Sequence, residues 1–541
     1  MKKSKTVAVS QKKPKGIFNS RKLVYSKSKE REVMFYILFF AILILSVSLM
    51  YFSKFYKSNS PVVDKVAKAT VVVWMCFYFL NIFLPDGLVL RAYEDISHFA
   101  GGEKIWIVLL RWCNDLAFLV LPVAVFFKKR IFVKITAFFL LPICLINVGI
   151  YCINIEFFTS PLGAGIAELR FLSDSAKELL RNEVFRGIWY GIVTFLELML
   201  IAFITMHNFD VLKQKPDKKG FFAGIGVFVM LFLSIMPIYA PQYIFKGYSL
   251  VGENAFDTFE MGSPFHIIWI IAVIAEGILL TKLFKKRSYE DRYIVILVLA
   301  LSLIMQYNQM FTCVGEITAH RMPFQLCNMA GFFILLMLLT KSEKIYHFVL
   351  VINVVGAVIA MVLCDTTPFG VAYVMNIHYI FEHTVVILAP ILCATLGVFP
   401  KLKNRHVLDF IVGFTIYFAF VLLIGGIFTG IKDLGGVNAD YWNCNYLFMF
   451  NKEETSGIVG FVAPLFDVKI KLFNFYTLSL LQLVVYTAFT AICVGVFFLM
   501  RGLSTVMAKL SGVMKKSVMV SDEPVIVSNE TEAKTAENES D

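Results

Sequence analysis

Apolar runs divided by short charged loops recur from residue 34 to residue 500. Most hold about 20 residues, the length at which a helix rising 1.5 Å per residue crosses about 30 Å of hydrocarbon. The pattern predicts thirteen spans, at 34–53, 66–90, 105–127, 131–153, 186–207, 220–245, 264–284, 291–311, 322–340, 345–363, 376–398, 406–429 and 476–500. Segments of about ten residues with alternating polarity, the mark of a membrane barrel, are absent. The expected fold class is an all-α polytopic membrane protein with about 13 transmembrane helices.

Composition points the same way. The 541 residues are 58% hydrophobic and 17% charged, and a soluble globule could not hide so much apolar surface. The net charge of +12 resides largely in a basic tail, 1–33, and in short loops. Charge placed so is read as topology signalling and contact with anionic headgroups, not as a nucleic-acid surface. The tail has no apolar stretch of its own, so no cleavable signal peptide is expected.

The expected organisation is the tail 1–33, an N-terminal helical membrane domain 34–246, a C-terminal seven-helix membrane domain 247–500, and an acidic, disordered tail within 501–541. Loops rich in Lys and Arg (KQKPDKK, KKRSYEDR, TKSEK, KLKNR) alternate with loops poor in them, which puts the basic loops and the C-terminus in the cytoplasm. Thirteen spans would then set the basic N-terminus outside, so the count stays open between 12 and 14. The piece IAELRFLSDSAKELLR is expected to lie along the interface. WCNDLAFLVLPVAVFFKKRIF (112–132) aligns without gaps to LCNMAGFFILLMLLTKSEKIY (326–346), and residues 34–246 are accordingly read as a diverged, degenerate copy of residues 264–428.

The candidate chemistry lies in the second half. With the basic loops inside, the helices at 322 and 376 both start on the outer face. Cys327, about 9 Å down its helix, and His383, about 12 Å down, then lie at similar depth. Ionisable side chains within a span are costly and normally face a bundle interior or a wet cavity. Gln325, Asn328 and Glu382 thicken this polar layer, and His266, His320 and Asn445 enter from the same side. A thiol beside an imidazole is the minimum for acyl transfer through a thioester. The alternative is that Cys327 packs and His383 bonds between helices. The ten Cys include no Cys-x-x-Cys, and no nucleotide fingerprint occurs, so no metal and no cofactor is expected.

MPFQLCN, then IFEHTVVILAP, then NYLFMF, in that order, resemble the YwaF family of integral membrane proteins, which is similar to transmembrane protein 164, over about residues 257–500. The early family His matches His266, the later one His383, and the Asn-Tyr pair Asn445 and Tyr446. The resemblance implies acyl transfer between phospholipids through an acyl-cysteine, with Cys327 as nucleophile and His383 as base. It implies membrane phospholipids as partners and, with no nucleic acid involved, a bacterial plasma-membrane setting. Three family positions differ: Gln325 replaces a His, Asn328 an Asp, and the turn CDTTPFG lacks the Asp after Pro. Two other readings therefore stand beside acyl transfer. One is a multi-span transporter, expected to show broken helices at PIYAPQY or LLIGGIFTG. The other is a non-catalytic lipid-binding scaffold. Cys113, matching Cys327 but lacking a partner His, is expected to be structural.

Overall fold

A computed structural model of the chain describes residues 61–80, 105–153, 174–215, 218–238, 240–241, 259–314, 319, 322–364, 370–435, 439–450, 463–466, 468–472 and 476–510. The basic tail, the span at 34–53, His320, Asp365 and the acidic tail lie outside the described residues.

The described residues form an all-α membrane architecture. In the first half, α1 spans Pro61–Leu80 and α2 Ile105–Phe127. The helix α3 is composed of Arg130–Ile135, a π-helical turn Thr136–Leu140, and Leu141–Ile153. Then come α4 (Asp174–Arg181), α5 (Glu183–His207), the short α6 (Phe209–Lys213) and α7 (Lys218–Ser234). In the second half, α8 is Pro264–Phe284, α9 Tyr289–Val314 and α10 Leu326–Thr340. The helix α11 joins Glu343–Phe348, a π-helical turn Val349–Asn353 and Val354–Leu363. Then follow α12 (Val374–Thr395), α13 (Val407–Asp433) and α14 (Leu480–Leu510).

Eight helices among the described residues are long and apolar enough to cross a membrane, and three shorter apolar ones, Trp112–Phe127, Gly220–Ser234 and Leu326–Thr340, lie among them. The apolar window of α9 is 89% buried and that of α14 only 11%, so α9 is the central post and α14 a lipid-facing wall. Along α8, Ile267, Ile271, Ile274 and Ile278 are exposed at near-helical spacing. Among lipid tails such a stripe carries no hydrophobic penalty.

Side-chain oxygens set several helix starts. Ser263 accepts from the His266 amide with Pro264 at the first position of α8, and Ser342 accepts from the Ile345 amide at the start of α11. Three boundaries differ from the sequence reading. The span expected at 322–340 begins as a helix only at Leu326, because Pro323–Gln325 form a turn before it. The span expected at 220–245 ends at Ser234, ahead of Pro237. At 476 the chain is not yet helical: Tyr476–Ser479 pairs antiparallel with Lys469–Leu472 as a small hairpin, β1–β2, which delivers the chain to α14. The stretch LLIGGIFTG is also not broken, since α13 runs through it.

The two halves share a local geometry. Lys128 and Lys341 both adopt the left-handed conformation with φ 51°. Each is followed by a six-residue helix starting two residues later and then a five-residue π turn, all at a spacing of 213. Two such rare features at one spacing give the two halves one local pattern. Counted from these lysines, the equivalent of Cys327 is Asn114 and that of Asn328 is Asp115, one position away from the gap-free alignment. The thiol Cys113 thus faces a different side of its helix.

The halves meet where α9 packs on α2. Lys129 bonds Glu290 at 2.5 Å and Asp291 at 2.9 Å. Burial works against its charge, but the two carboxylates outweigh it and raise the Lys129 pKa. Deeper, Gln309 donates to Asp115 at 2.8 Å, Tyr78 donates to the other oxygen of Asp115, and Asn308 donates to the Phe79 carbonyl at 2.9 Å.

Adjacent glycines let α13 touch its neighbours. A Cβ on Gly425 would clash with the edge of the Phe450 ring, and one on Gly426 would lie 2.6 Å from Tyr476 Cε2. Gly425→Ala and Gly426→Ala are each expected to cost about 1–3 kcal/mol through overpacking. Gly495 on α14 has nothing within 4 Å of such a Cβ, so Gly495→Ala should be neutral or stabilising by roughly 0.5–1 kcal/mol. Unfolding of the detergent-solubilised variants separates the two classes, and equal melting of all three would refute the packing argument.

Candidate functional site

Three helices of the second half converge on one buried polar cluster. The first turn of α10 supplies Cys327 and Asn328, α9 supplies Tyr307, and α12 supplies His378, Tyr379, Glu382 and His383. Glu382, His378 and His383 are buried and Cys327 is partly buried. Four-residue spacing puts His378 and Glu382 on one face of α12, with Nε2 and Oε2 3.8 Å apart, and Tyr379 and His383 on the adjoining face.

Asn328 links α10 to that face. With its amide nitrogen turned to Glu382, it donates to Oε1 at 2.7 Å and Oε2 at 3.2 Å. Its oxygen then faces the Tyr307 hydroxyl, 3.5 Å away. An Asp here would set two carboxylates against each other, so the Asn suits the acidic partner that this chain carries on α12. The thiol of Cys327 lies within electrostatic reach of both Glu382 and Tyr417.

His383 is held in one tautomer. Its Nδ1–H donates to the Tyr379 carbonyl at 2.7 Å, which leaves the lone pair on Nε2. The ring packs against Tyr379 with centroids 4.2 Å apart, and Tyr379 in turn donates to the Ala360 carbonyl at 2.7 Å. No hydrogen bond joins Cys327 to His383 among the described residues. Because α10 starts at Leu326, Cys327 also sits at the mouth of its helix instead of about a turn and a half inside it.

The other expected site residues divide by role. Gln325 clamps the segment after α13, donating to the Asn445 carbonyl at 3.0 Å and accepting from the Leu447 amide at 3.0 Å. The Asn445 side chain accepts from the Phe450 amide at 3.2 Å, and the Tyr446 hydroxyl donates to the Ala319 carbonyl. The bonded polar atoms of these three are committed to backbone. His266 accepts from the Gly262 amide through Nδ1 at 2.9 Å and donates through Nε2 to the Met361 carbonyl at 2.7 Å. Both of its nitrogens are used, so it pins α8 to the end of α11. His320 lies outside the described residues. His378 escaped the sequence reading, although the spacing His-x-x-x-Glu within NIHYIFEH carried the signal.

No curated protein and no solved structure matches the chain. Residues 261–501, which run from just before α8 into α14 and contain every residue of this cluster, match the TMEM164 family, and the second half of the chain is similar to that family of membrane proteins.

Proposed function

We propose that this protein transfers acyl chains between phospholipids inside the membrane through an acyl-cysteine on Cys327. The observation that supports the reading is the bond from Asn328, the residue after Cys327 in the first turn of α10, to the buried Glu382 on α12, whose neighbour in sequence is His383 with its tautomer fixed. Buried ionisable groups are expensive in a bilayer, and a cluster of them around a nucleophile is a functional arrangement by default.

In the proposed cycle a phospholipid enters sideways and sets its ester carbonyl at Cys327. The thiol proton passes to His383 Nε2, through a rotamer change or a bridging water, because the two are not bonded in the resting arrangement. The thiolate adds to the carbonyl, and the carbon–oxygen bond of the ester breaks. The departing lysolipid oxygen takes the proton from His383, leaving a thioester on Cys327. A second lysolipid hydroxyl gives its proton to His383 and attacks the thioester, the carbon–sulfur bond breaks, and the thiol regains its proton. Asn328 and Glu382 hold the mouth of α10 against α12 throughout.

The test uses the full chain in vesicles of a phospholipid whose acyl chain bears an alkyne tag. A hydroxylamine-labile tag on the peptide containing Cys327 is expected. Lipid remodelling without any tag there, or tagging spread evenly over all ten cysteines, would refute the mechanism. Lipid binding with neither tag nor remodelling would favour the non-catalytic reading, which Gln325 supports, because both ends of its amide are spent on backbone.

A further inference from the structure

A second group of ligand-type side chains lies at the opposite end of α10 from Cys327, thirteen residues or about 20 Å along the helix. Glu343 opens α11, His347 follows one turn later, and His406 closes the 3-10 turn Asn404–His406 that leads into α13. One ligand atom from each lies within 4.8 Å of the others. Two further observations point to an occupant.

The first is the state of His347. Its Nδ1 pairs with Asp409 Oδ2 at 2.8 Å, so in the neutral ring the lone pair is on Nε2. That ring is 1% exposed, and Nε2 has no partner. Leaving a buried acceptor unsatisfied costs about 1–3 kcal/mol. The second is the local pattern shared by the two halves. At the spacing of 213, Glu343 corresponds to Arg130 and His347 to Lys134. Both of those donate to the Gln214 carbonyl, at 2.8 Å and 2.7 Å. The first copy thus places fixed positive charge where the second places a carboxylate and an unpartnered imidazole.

We propose that Glu343, His347 and His406 bind a divalent transition metal of the Zn²⁺ class. Two imidazoles and one carboxylate form a three-ligand set that leaves a position for water, and imidazole donors select against Mg²⁺ and Ca²⁺. Asp409 acts behind His347 as the carboxylate that orients a metal-bound imidazole. A cavity of about 440 Å³, lined by Ser342, Glu343, Lys344, Arg405, His406 and Asp409, provides entry and room for the water. Glu343 and Asp409 offset the charges of Lys344 and Arg405. The His347 and His406 rings stack with centroids 3.9 Å apart and 20° between their planes. A tetrahedral site with bonds of about 2.1 Å holds its ligand atoms about 3.4 Å apart, so binding draws this set inward by roughly 1 Å and rotates the His406 ring out of the stack. A neutral His406 ring accepts at one nitrogen only, from the Lys403 amide at Nδ1 (3.1 Å) or from Arg405 Nε at Nε2 (3.4 Å), and gives up that contact if the ion takes the same nitrogen. The ion ties α11 to α13 at the end of the bundle that carries the basic loops.

The experiment strips the purified full chain with a chelator and titrates it with Zn²⁺ calorimetrically, with elemental analysis of the product. One Zn²⁺ per chain is expected. His347→Ala and His406→Ala should each weaken binding by about 100-fold or more, and Asp409→Asn by about 10–100-fold. Glu343 is exposed, so Glu343→Gln should fold normally yet lose most of the affinity and the Zn²⁺-dependent rise in melting temperature. Absence of Zn²⁺ binding by the wild type overturns the proposal. So does unchanged affinity in Glu343→Gln together with unchanged affinity in the His347→Ala/His406→Ala double variant. Thioester formation at Cys327 is read separately, so either result stands apart from the acyl-transfer reading.

Discussion

Cys327→Ala is expected to abolish acyl transfer, a fall on the order of 10³-fold or more, with lipid binding retained. Removing a nucleophile eliminates the covalent route altogether, whereas removing a group that only orients it leaves part of the rate. His383→Ala should therefore approach the same floor, because its Nε2 carries the proton in both half-reactions. Glu382→Gln keeps the size of the side chain and an acceptor for Asn328, so its loss should be intermediate. Cys113→Ala should transfer at the wild-type rate, since residue 114, not 113, stands at the equivalent helix position. Comparative lipidomics of cells carrying each variant, with single-turnover rates on purified protein, provides the measurement. A Cys327→Ala protein that remodels lipids at the wild-type rate ends the acyl-cysteine mechanism. A Cys113→Ala protein that loses activity while remaining folded would overturn the assignment of equivalent positions.

A large loss of stability is expected at Asp115, which is fully buried in α2. It accepts from Tyr78 on α1 and from Gln309 on α9, so one carboxylate fastens three helices and both halves of the chain. Asp115→Ala leaves a hydroxyl and an amide without this acceptor. A buried donor left unpaired costs about 1–3 kcal/mol in water-soluble proteins, and hydrogen bonds between membrane helices average about 0.6 kcal/mol, because the reference state in lipid also finds partners. A combined loss of about 2 kcal/mol is expected. Asp115→Asn should lose about half as much, since its amide keeps one acceptor and turns a donor toward the other group. Unfolding of the detergent-solubilised protein, with Tyr78→Phe as a single-donor comparison, gives the order. Equal stability of Asp115→Ala and wild type would show that the Asp115 bonds do not hold the halves together.

The two halves treat one position in two ways. In the first, Tyr78 donates to Asp115, and in the second, Tyr307 faces Asn328. The Asp is used where the neighbours are neutral donors, and the Asn where a glutamate, Glu382, already occupies the facing helix. The amide at Asn328 is thereby explained by Glu382, a residue more than fifty positions away. Gln325 is explained by its clamp on residues 445–447.

Hydrophobic run length by itself determined that this chain is a bundle of membrane helices, and approximately where most of them lie, because spanning hydrocarbon is a local demand met residue by residue. The sequence also pointed to polar residues within the spans expected at 322–340 and 376–398, since ionisable residues stand out against apolar runs. Tertiary structure decided which of those residues meet. Pro323 and the turn after it moved Cys327 to the mouth of α10, and side-chain bonds tie His266, Gln325 and Tyr446, expected as supporting residues, to distant backbone. His347 and His406 come together only because α11 and α13 pack side by side. Contacts between helices depend on rotation about each axis and on which partner lies opposite, and neither quantity is written in the spacing of a single helix.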